Sequence, residues 1–145
     1  MTDASGRRPA VKVDGYVRRA SDAAHSARTA WEVRQWIERR GWRLARLHVD
    51  VAPTRSALRE AIGRVQSRET NGLVVTTLSQ LAGTDQEAVV ALERIHAAGG
   101  IFVSVRDHLD LSTPAGRRRH RRLLAELERG SSGERDAAPG PRPAR

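Results

Sequence analysis

Apolar residues along the chain alternate between short runs rich in β-branched side chains and longer stretches in which they recur at helical spacing. The short runs are typical of strands, because Val, Ile and Thr suit a pleated, half-buried surface. Such runs are Val11–Val17, Gly72–Thr77 and Ile101–Val105. The longer segment Trp42–Val51 mixes apolar and polar residues and is also predicted to be a strand. The longer stretches place apolar residues three or four positions apart, as at Leu58, Ile62 and Val65, which predicts amphipathic helices.

Capping signals set the ends of the helices in this pattern. Side-chain oxygens of Ser, Thr and Asp favour a helix start because they accept unpaired backbone N–H groups, and Gly favours a helix end. The first helix is predicted to start at Ser26 or Thr29 and to run to about Arg40. The other predicted helices start at Ser56, at the capping box Thr84-Asp85-Gln86-Glu87 and at Thr113-Pro114, and the last two end at Gly99-Gly100 and near Arg129.

The repeated order of strand and helix predicts an α/β fold, with a mostly parallel sheet of four or slightly more strands and helices on both faces. Such sheets carry their functional loops at the carboxyl ends of the strands. Those loops are approximately residues 18–26, 52–55, 78–84 and 106–113.

The composition along the chain predicts one domain between two flexible ends. Residues 1–10 are expected to form a flexible leader and residues 11–129 the domain. Residues 130–145 contain three Pro and few apolar side chains, which is typical of a disordered tail.

The overall composition excludes several classes of protein. The chain has 26 Lys and Arg residues against 17 Asp and Glu, a formal net charge of +9, and no Cys. The lack of Cys excludes disulfides, thiol catalysis and Cys-bound metals, and no apolar run is long enough to span a bilayer or form a secretory signal. We therefore expect a soluble, cytoplasmic protein without a membrane partner. The positive charge favours DNA as a partner, although a GC-rich coding sequence also enriches arginine.

Little in the loops supports a metal or small-molecule site. Residues 18–22, after the first strand, lack the Gly-rich pattern that cradles the phosphates of a nucleotide. No two of the five His residues have the helical spacing of metal ligands. Asp107-His108-Leu109-Asp110 contains residue types that bind metals, but a polar loop after a strand is the simpler interpretation. We expect no metal, no cofactor and no small-molecule ligand.

One hydroxyl and two arginines follow the predicted strands. Arg18 and Ser21 come after the first strand, and Arg55 comes after the second. In a phosphoryl-transfer site the serine would attack phosphorus while the guanidinium groups stabilise charge on the phosphate oxygens. Ser21, Arg18 and Arg55 are therefore the candidate catalytic residues. A solvated loop with incidental arginines is the alternative.

Several segments, in order, resemble the catalytic domain of serine recombinases, the resolvase and invertase family. Gly15-Tyr16-Val17-Arg18 resembles the end of the family's first strand, Tyr-x-Arg-Val-Ser, whose Ser is the nucleophile. The other similar segments are Glu38–Trp42, the loop with Asp50 and Arg55, Asn71–Leu78, Leu111–Arg117 with the motif Thr-Pro-x-Gly-Arg, and Ala125–Arg129. The resemblance covers residues 11–129 and implies a resolvase-like fold and an activity in DNA strand exchange.

The sequence departs from the family where the chemistry takes place. Aligning Tyr16 and Arg18 puts Ala20, not Ser21, at the nucleophile position. The family's third-strand motif Leu-Asp-Arg-Leu-x-Arg is here Leu78-Ser79-Gln80-Leu81-Ala82-Gly83, so a carboxylate and two arginines are missing. These losses predict an inactive site, because a single charge-stabilising donor is worth on the order of 10²–10³ in rate. The resemblance therefore implies the fold and a strand-exchange activity, and these departures predict that the activity is lost in this chain.

The last predicted helix combines a basic run with an apolar stripe. The candidate DNA-binding residues are Arg117, Arg118, Arg119, Arg121 and Arg122, with a solvated surface as the alternative. The stripe of Leu123, Leu124 and Leu127 packs either on the chain's own sheet or on a partner helix. A homodimer or heterodimer through this helix is one predicted arrangement.

Three functions follow as hypotheses. The first is an inactive, truncated member of the recombinase family that binds DNA electrostatically, without regard to sequence, or binds another recombinase. The second is an active DNA-cleaving recombinase that uses Ser21. The third is a protein-interaction module with no DNA role. A phosphoserine linkage to DNA separates the second from the first, whereas complexes that resist nuclease and salt indicate the third.

Overall fold

The computed structural model describes residues 10–19, 23–81 and 84–137. Strands and α-helices alternate along these residues, in the order that the apolar pattern predicts. The strands are β1 (Lys12–Arg19), β2 (Arg43–Val51), β3 (Gly72–Val75), β4 (Ile101–Ser104) and β5 (Leu109–Asp110). The helices are α1 (Ala23–Arg39), α2 (Ser56–Gln66), α3 (Asp85–Ala97) and α4 (Pro114–Ala137), with a 3₁₀ turn at Leu78–Gln80.

The strands form one sheet in the order β2-β1-β3-β4-β5. The first four are parallel, and β5 pairs with β4 in the antiparallel direction. The predicted α/β fold with a mostly parallel sheet is confirmed. β5 was not among the predicted strands, because two residues are too few for an alternating pattern to appear.

Helices cover both faces of this sheet. On one face, α1 packs against a cluster centred on Val13, Val33, Ile37, Val74 and Val103. On the other face, a larger cluster draws on α2, α3 and the sheet, and the α4 side chains Leu123 and Leu124 pack against it. The inner strands β1, β3 and β4 are therefore largely buried by the chain itself, as a parallel sheet requires, whereas the edge strand β2 leaves Val49 and Val51 exposed.

The start of α1 differs from the prediction. The helix begins at Ala23, so Ser26 and Thr29 lie inside it and are buried rather than acting as caps. The Thr29 hydroxyl donates to the His25 carbonyl oxygen at 2.9 Å. A hydroxyl that bonds the preceding helical turn is satisfied without ending the helix, which explains why the capping signal was misleading.

The end of α4 also differs. The helix continues through residues 130–137, beyond the predicted end near Arg129 and into the segment predicted to be a tail. A helix that is already nucleated gains one hydrogen bond for each residue it adds, so Gly and Ser can be accommodated at its end at a cost of about 1 kcal/mol or less each. Residues 1–9 and 138–145 lie outside the described residues.

No helix within the described ranges combines the length and apolarity that a bilayer crossing needs.

Candidate functional site

The carboxyl end of β1, the loop between β2 and α2, and the 3₁₀ turn after β3 meet at one edge of the sheet. Arg18 lies opposite Asp50 in the β1–β2 register. The positive charges of Arg18 and Arg55 both act to lower the pKa of Tyr16, so both arginines lie within electrostatic reach of its hydroxyl. The structure thus places two of the three candidate catalytic residues at the same edge of the sheet. Ser21 and Ala20 lie outside the described residues, and the role of Ser21 stays a prediction.

Asp50 holds this edge together. Its buried carboxylate accepts hydrogen bonds from the Tyr16 hydroxyl at 2.9 Å, the Ala57 N–H at 2.9 Å and the Leu58 N–H at 3.0 Å. Two of these donors belong to the first turn of α2, whose orphan N–H groups need acceptors. Burial, followed by the hydrogen bond to Asp50, raises the pKa of Tyr16. The sequence signal for this role was a carboxylate at the end of a strand, shortly before a helix.

Arg55 lies between α2 and the start of α3. Its Nη1 donates to the Leu81 carbonyl oxygen at 2.8 Å, and its Nη2 lies 3.2 Å from Glu87 Oε2. The Thr84 hydroxyl oxygen accepts the Glu87 N–H at 3.3 Å, which confirms Thr84 as the cap of α3. The guanidinium is therefore engaged by the protein, and sequence reasoning did not identify Glu87 as its partner.

Gln80 makes a contact that an arginine at the same position would not make. Its Oε1 accepts the backbone N–H of Arg18 at 2.7 Å. An arginine side chain has donors only, so it would leave this part-buried N–H without its acceptor. Here the 3₁₀ turn contributes an acceptor that fixes the end of β1.

The loop after β4 stabilises this edge of the sheet through the side chain of Asp107. Asp107 Oδ2 accepts the Leu78 N–H at 2.8 Å and the Ser104 hydroxyl at 2.5 Å. The Thr77 and Ser79 hydroxyl oxygens are hydrogen-bonded at 2.7 Å. Among the residues placed by the structure, no three His, Cys, Asp or Glu side chains are grouped to hold a metal ion.

The first turns of α4 present a dense basic surface. Five arginines are exposed in these first turns, and we refer to them as the α4 arginine surface: Arg117, Arg118, Arg119, Arg121 and Arg122. Arg118, Arg121 and Arg122 line one open groove. Within the described part of the chain, none of the five forms an ion pair, whereas five other arginines do: Arg40, Arg46, Arg55, Arg64 and Arg106.

The opposite side of α4 is buried. Leu123 and Leu124 are partly buried and pack against the chain's own core; the Leu127 side chain lies outside the described residues. His120 is buried with its ring 5.4 Å from that of His96. Burial, followed by the nearby His96, lowers the pKa of His120, which keeps the ring neutral at pH 7.

A comparison with models of protein families decides the relationship. The model described as "Resolvase, N terminal domain" matches residues 13–138. The chain belongs to this family. A comparison with curated protein sequences found no match.

Solved structures agree with the family at the level of the fold. The N-terminal catalytic domain of TP901-1 integrase is 16% identical with a TM-score of 0.71, covering 88% of this chain and 99% of that one. A resolvase family site-specific recombinase from Streptococcus pneumoniae is 14% identical with a TM-score of 0.73, covering 87% and 89%. The C-terminal catalytic domain of ISC1926 TnpA, an IS607-like serine recombinase, is 16% identical with a TM-score of 0.60, covering 66% and 67%. These identities are too low to carry more than the fold.

The strand-end edge of this resolvase-family domain carries both charged and neutral side chains from the segments that resemble the family's motifs. Arg18 and Arg55 are present, and Ser79 and Gln80 occupy the third-strand segment in which the family motif has Asp and Arg. Both polar side chains bind groups of the protein itself: Gln80 binds the Arg18 N–H, and Arg55 binds the Leu81 carbonyl oxygen and the Glu87 carboxylate. The edge is built as a packed junction between β1, the 3₁₀ turn and α3.

Proposed function

We propose that this resolvase-family domain binds DNA through the phosphate backbone, with the α4 arginine surface as its contact, and does not cleave the strand. The observation that carries the proposal is the density of exposed guanidinium groups on α4 that have no carboxylate partner among the described residues. Arginine donates two parallel hydrogen bonds to a phosphate, and its charge releases counterions from DNA.

The dimensions of the α4 arginine surface suit a phosphate backbone. Residues 117–122 rise by about 8 Å along the helix axis. One DNA strand carries a phosphate about every 3.4 Å of duplex axis, so the surface spans about two phosphates on a strand. Arg118, Arg121 and Arg122 line the same open depression, so all three guanidinium groups can reach one stretch of backbone. Contacts of this kind carry no base information, so we expect binding that is indifferent to sequence.

Two features of the strand-end edge argue against strand cleavage. Phosphoryl transfer requires cations aimed at the charge that develops on the phosphate oxygens. Gln80 is neutral and is committed to the Arg18 backbone, and Arg55 is held by Leu81 and Glu87. With fewer free cations at this edge, the attack of a serine on phosphorus would lack most of its electrostatic support.

The test is a triple substitution on α4. Arg118→Gln, Arg121→Gln and Arg122→Gln together are expected to weaken binding to a short duplex at least about tenfold, and to reduce the slope of log K against log salt by about three. Fluorescence anisotropy of a labelled duplex over a salt series measures both quantities.

The control removes the same charge elsewhere. Arg28, Arg34 and Arg59 are exposed on α1 and α2, and their triple replacement by Gln should change the salt slope by less than about one. Equal effects of the two triple variants would show that net charge alone drives binding, and the α4 contact would be wrong. An unchanged α4 variant would contradict the proposal as well.

A further inference from the structure

We infer that Glu87 sets the phosphate affinity of the strand-end edge by acting as an internal substitute for phosphate on Arg55. The inference rests on the proposed function only in so far as DNA is the phosphate source. It concerns a site separate from the α4 arginine surface, and a residue that no family motif considered above contains.

The first step is the way Arg55 is divided between two partners. Its Nη1 is bound to the Leu81 carbonyl oxygen at 2.8 Å, and only its Nη2 faces the Glu87 carboxylate, at 3.2 Å. The Arg55 side chain is 24% exposed and the Glu87 side chain 55% exposed. A phosphate oxygen can therefore replace the carboxylate oxygen on Nη2 while the bond to Leu81 keeps the guanidinium in position.

The second step is the way Glu87 is held. It lies in the first turn of α3, and its N–H is bound by the capping residue Thr84. Negative charge in the first turn of a helix is stabilised by the helix dipole. The charge of the carboxylate is therefore stabilised by the helix as well as by the ion pair with Arg55, and it lies where a phosphate would have to approach Nη2.

The third step is the size of the effect. A half-exposed ion pair is weak because water screens its charges, so a phosphate is able to compete with Glu87, at a disadvantage. Neutralising Glu87 removes both the competing anion and its repulsion of phosphate. We expect a gain in phosphate affinity at Arg55 of about three- to tenfold.

Glu87→Gln is the variant of choice. Gln serves at the third position of a capping box as Glu does, so the start of α3 is retained. Glu60→Gln is the matched control: Glu60 is also 55% exposed and also paired with an arginine, Arg46, at 2.7 Å. The two variants change net charge equally, and Glu60 has no contact with Arg55 in the described structure.

The readout is the NMR signal of the Arg55 guanidinium during titration with inorganic phosphate. The Glu87→Gln protein should show a shift at Arg55 at about three- to tenfold lower phosphate concentration than the wild type or the Glu60→Gln protein. The inference is overturned if Glu87→Gln titrates like the wild type, or if Glu60→Gln gains as much as Glu87→Gln.

Duplex binding by the same proteins separates this inference from the proposed function. Wild-type protein that fails to bind DNA at low salt contradicts the proposed function, whatever the phosphate titration shows. The inference is supported if Glu87→Gln raises DNA affinity in the wild-type background but not in an Arg55→Gln background, because the gain then depends on Arg55. A gain that survives in the Arg55→Gln background contradicts it.

Discussion

Replacing Asp14 with alanine is expected to lower the free energy of unfolding by about 3–5 kcal/mol. Asp14 is fully buried in β1, with Arg64 Nε at 2.6 Å and His48 Nε2 at 2.8 Å from its Oδ2. Removal of the carboxylate leaves a largely buried guanidinium and a buried imidazole without their shared partner. Arg64 retains its ion pair with Glu69 at 3.1 Å, which places the expected cost towards the lower end of this range.

The expected loss is measured by urea unfolding followed by circular dichroism, with two companion variants. Asp14→Asn keeps the volume of the side chain but not its charge, and it should lose most of the same stability if the charge network is responsible. Glu60→Gln removes one partner of an exposed ion pair and should change stability by less than about 1 kcal/mol. A cost for Asp14→Ala no greater than that of Glu60→Gln would show that the buried network does not stabilise the fold.

The same network makes the stability of the protein depend on pH in the acid range. Burial alone would raise the pKa of the Asp14 carboxyl, but the hydrogen bonds from Arg64 and His48 outweigh it and lower this pKa below its ordinary value. A carboxyl with a depressed folded pKa contributes its full stability above the unfolded pKa of about 3.9, and the contribution is lost as the pH falls through the folded pKa. The stability difference between wild type and Asp14→Asn should therefore shrink below about pH 4.

Gly116→Ala should be the second large loss, about 3 kcal/mol or more, because it forces backbone atoms apart. A Cβ at this position would lie 1.5 Å from the Asp110 carbonyl oxygen. Gly116 also donates its N–H to the Thr113 hydroxyl oxygen at 2.9 Å, which confirms Thr113 as the cap of α4. The turn between β5 and α4 cannot shift without weakening this cap. Gly116 is the glycine of the Thr-Pro-x-Gly-Arg segment, and the close approach gives a physical reason for it.

Gly63→Ala is the matched control for this substitution. Gly63 lies inside α2, and an added Cβ there would meet no atom within 4 Å. Alanine should stabilise this helix by about 0.5–1 kcal/mol. Urea unfolding should therefore move the two midpoints in opposite directions. An unchanged midpoint for Gly116→Ala would mean that the start of α4 is not packed against β5 as described.

The sheet was predictable because its signals are local. The alternation of apolar spacing identified four of the strands, and Thr84 and Thr113 marked helix starts that the structure confirms. β5 escaped because it has only two residues. Local signals failed where a hydroxyl could form its hydrogen bond in either of two places. The Thr29 hydroxyl, for example, bonds within α1 instead of capping it.

The long-range contacts of the core and of the candidate site were not predictable in the same way. The partners of Asp14 are 34 and 50 positions away in sequence, and Glu87 meets Arg55 from another helix. No pattern within a single element reports such contacts, because they depend on which elements pack together. Resemblance to a family supplied Arg18 and Arg55, but it gave no sign that Gln80 binds the β1 backbone, since the family motif has no acceptor there.

We propose above that this domain binds DNA by charge and not by a covalent bond. The affinity of the wild-type protein for two unrelated duplexes over a salt series, with each sample then denatured, tests both parts of this proposal. We expect a log–log salt slope of about −3 to −5, the same for both duplexes, and no DNA retained on the denatured protein. Binding that does not change with salt, or DNA that stays attached through Ser21 after denaturation and is lost in Ser21→Ala, would contradict it.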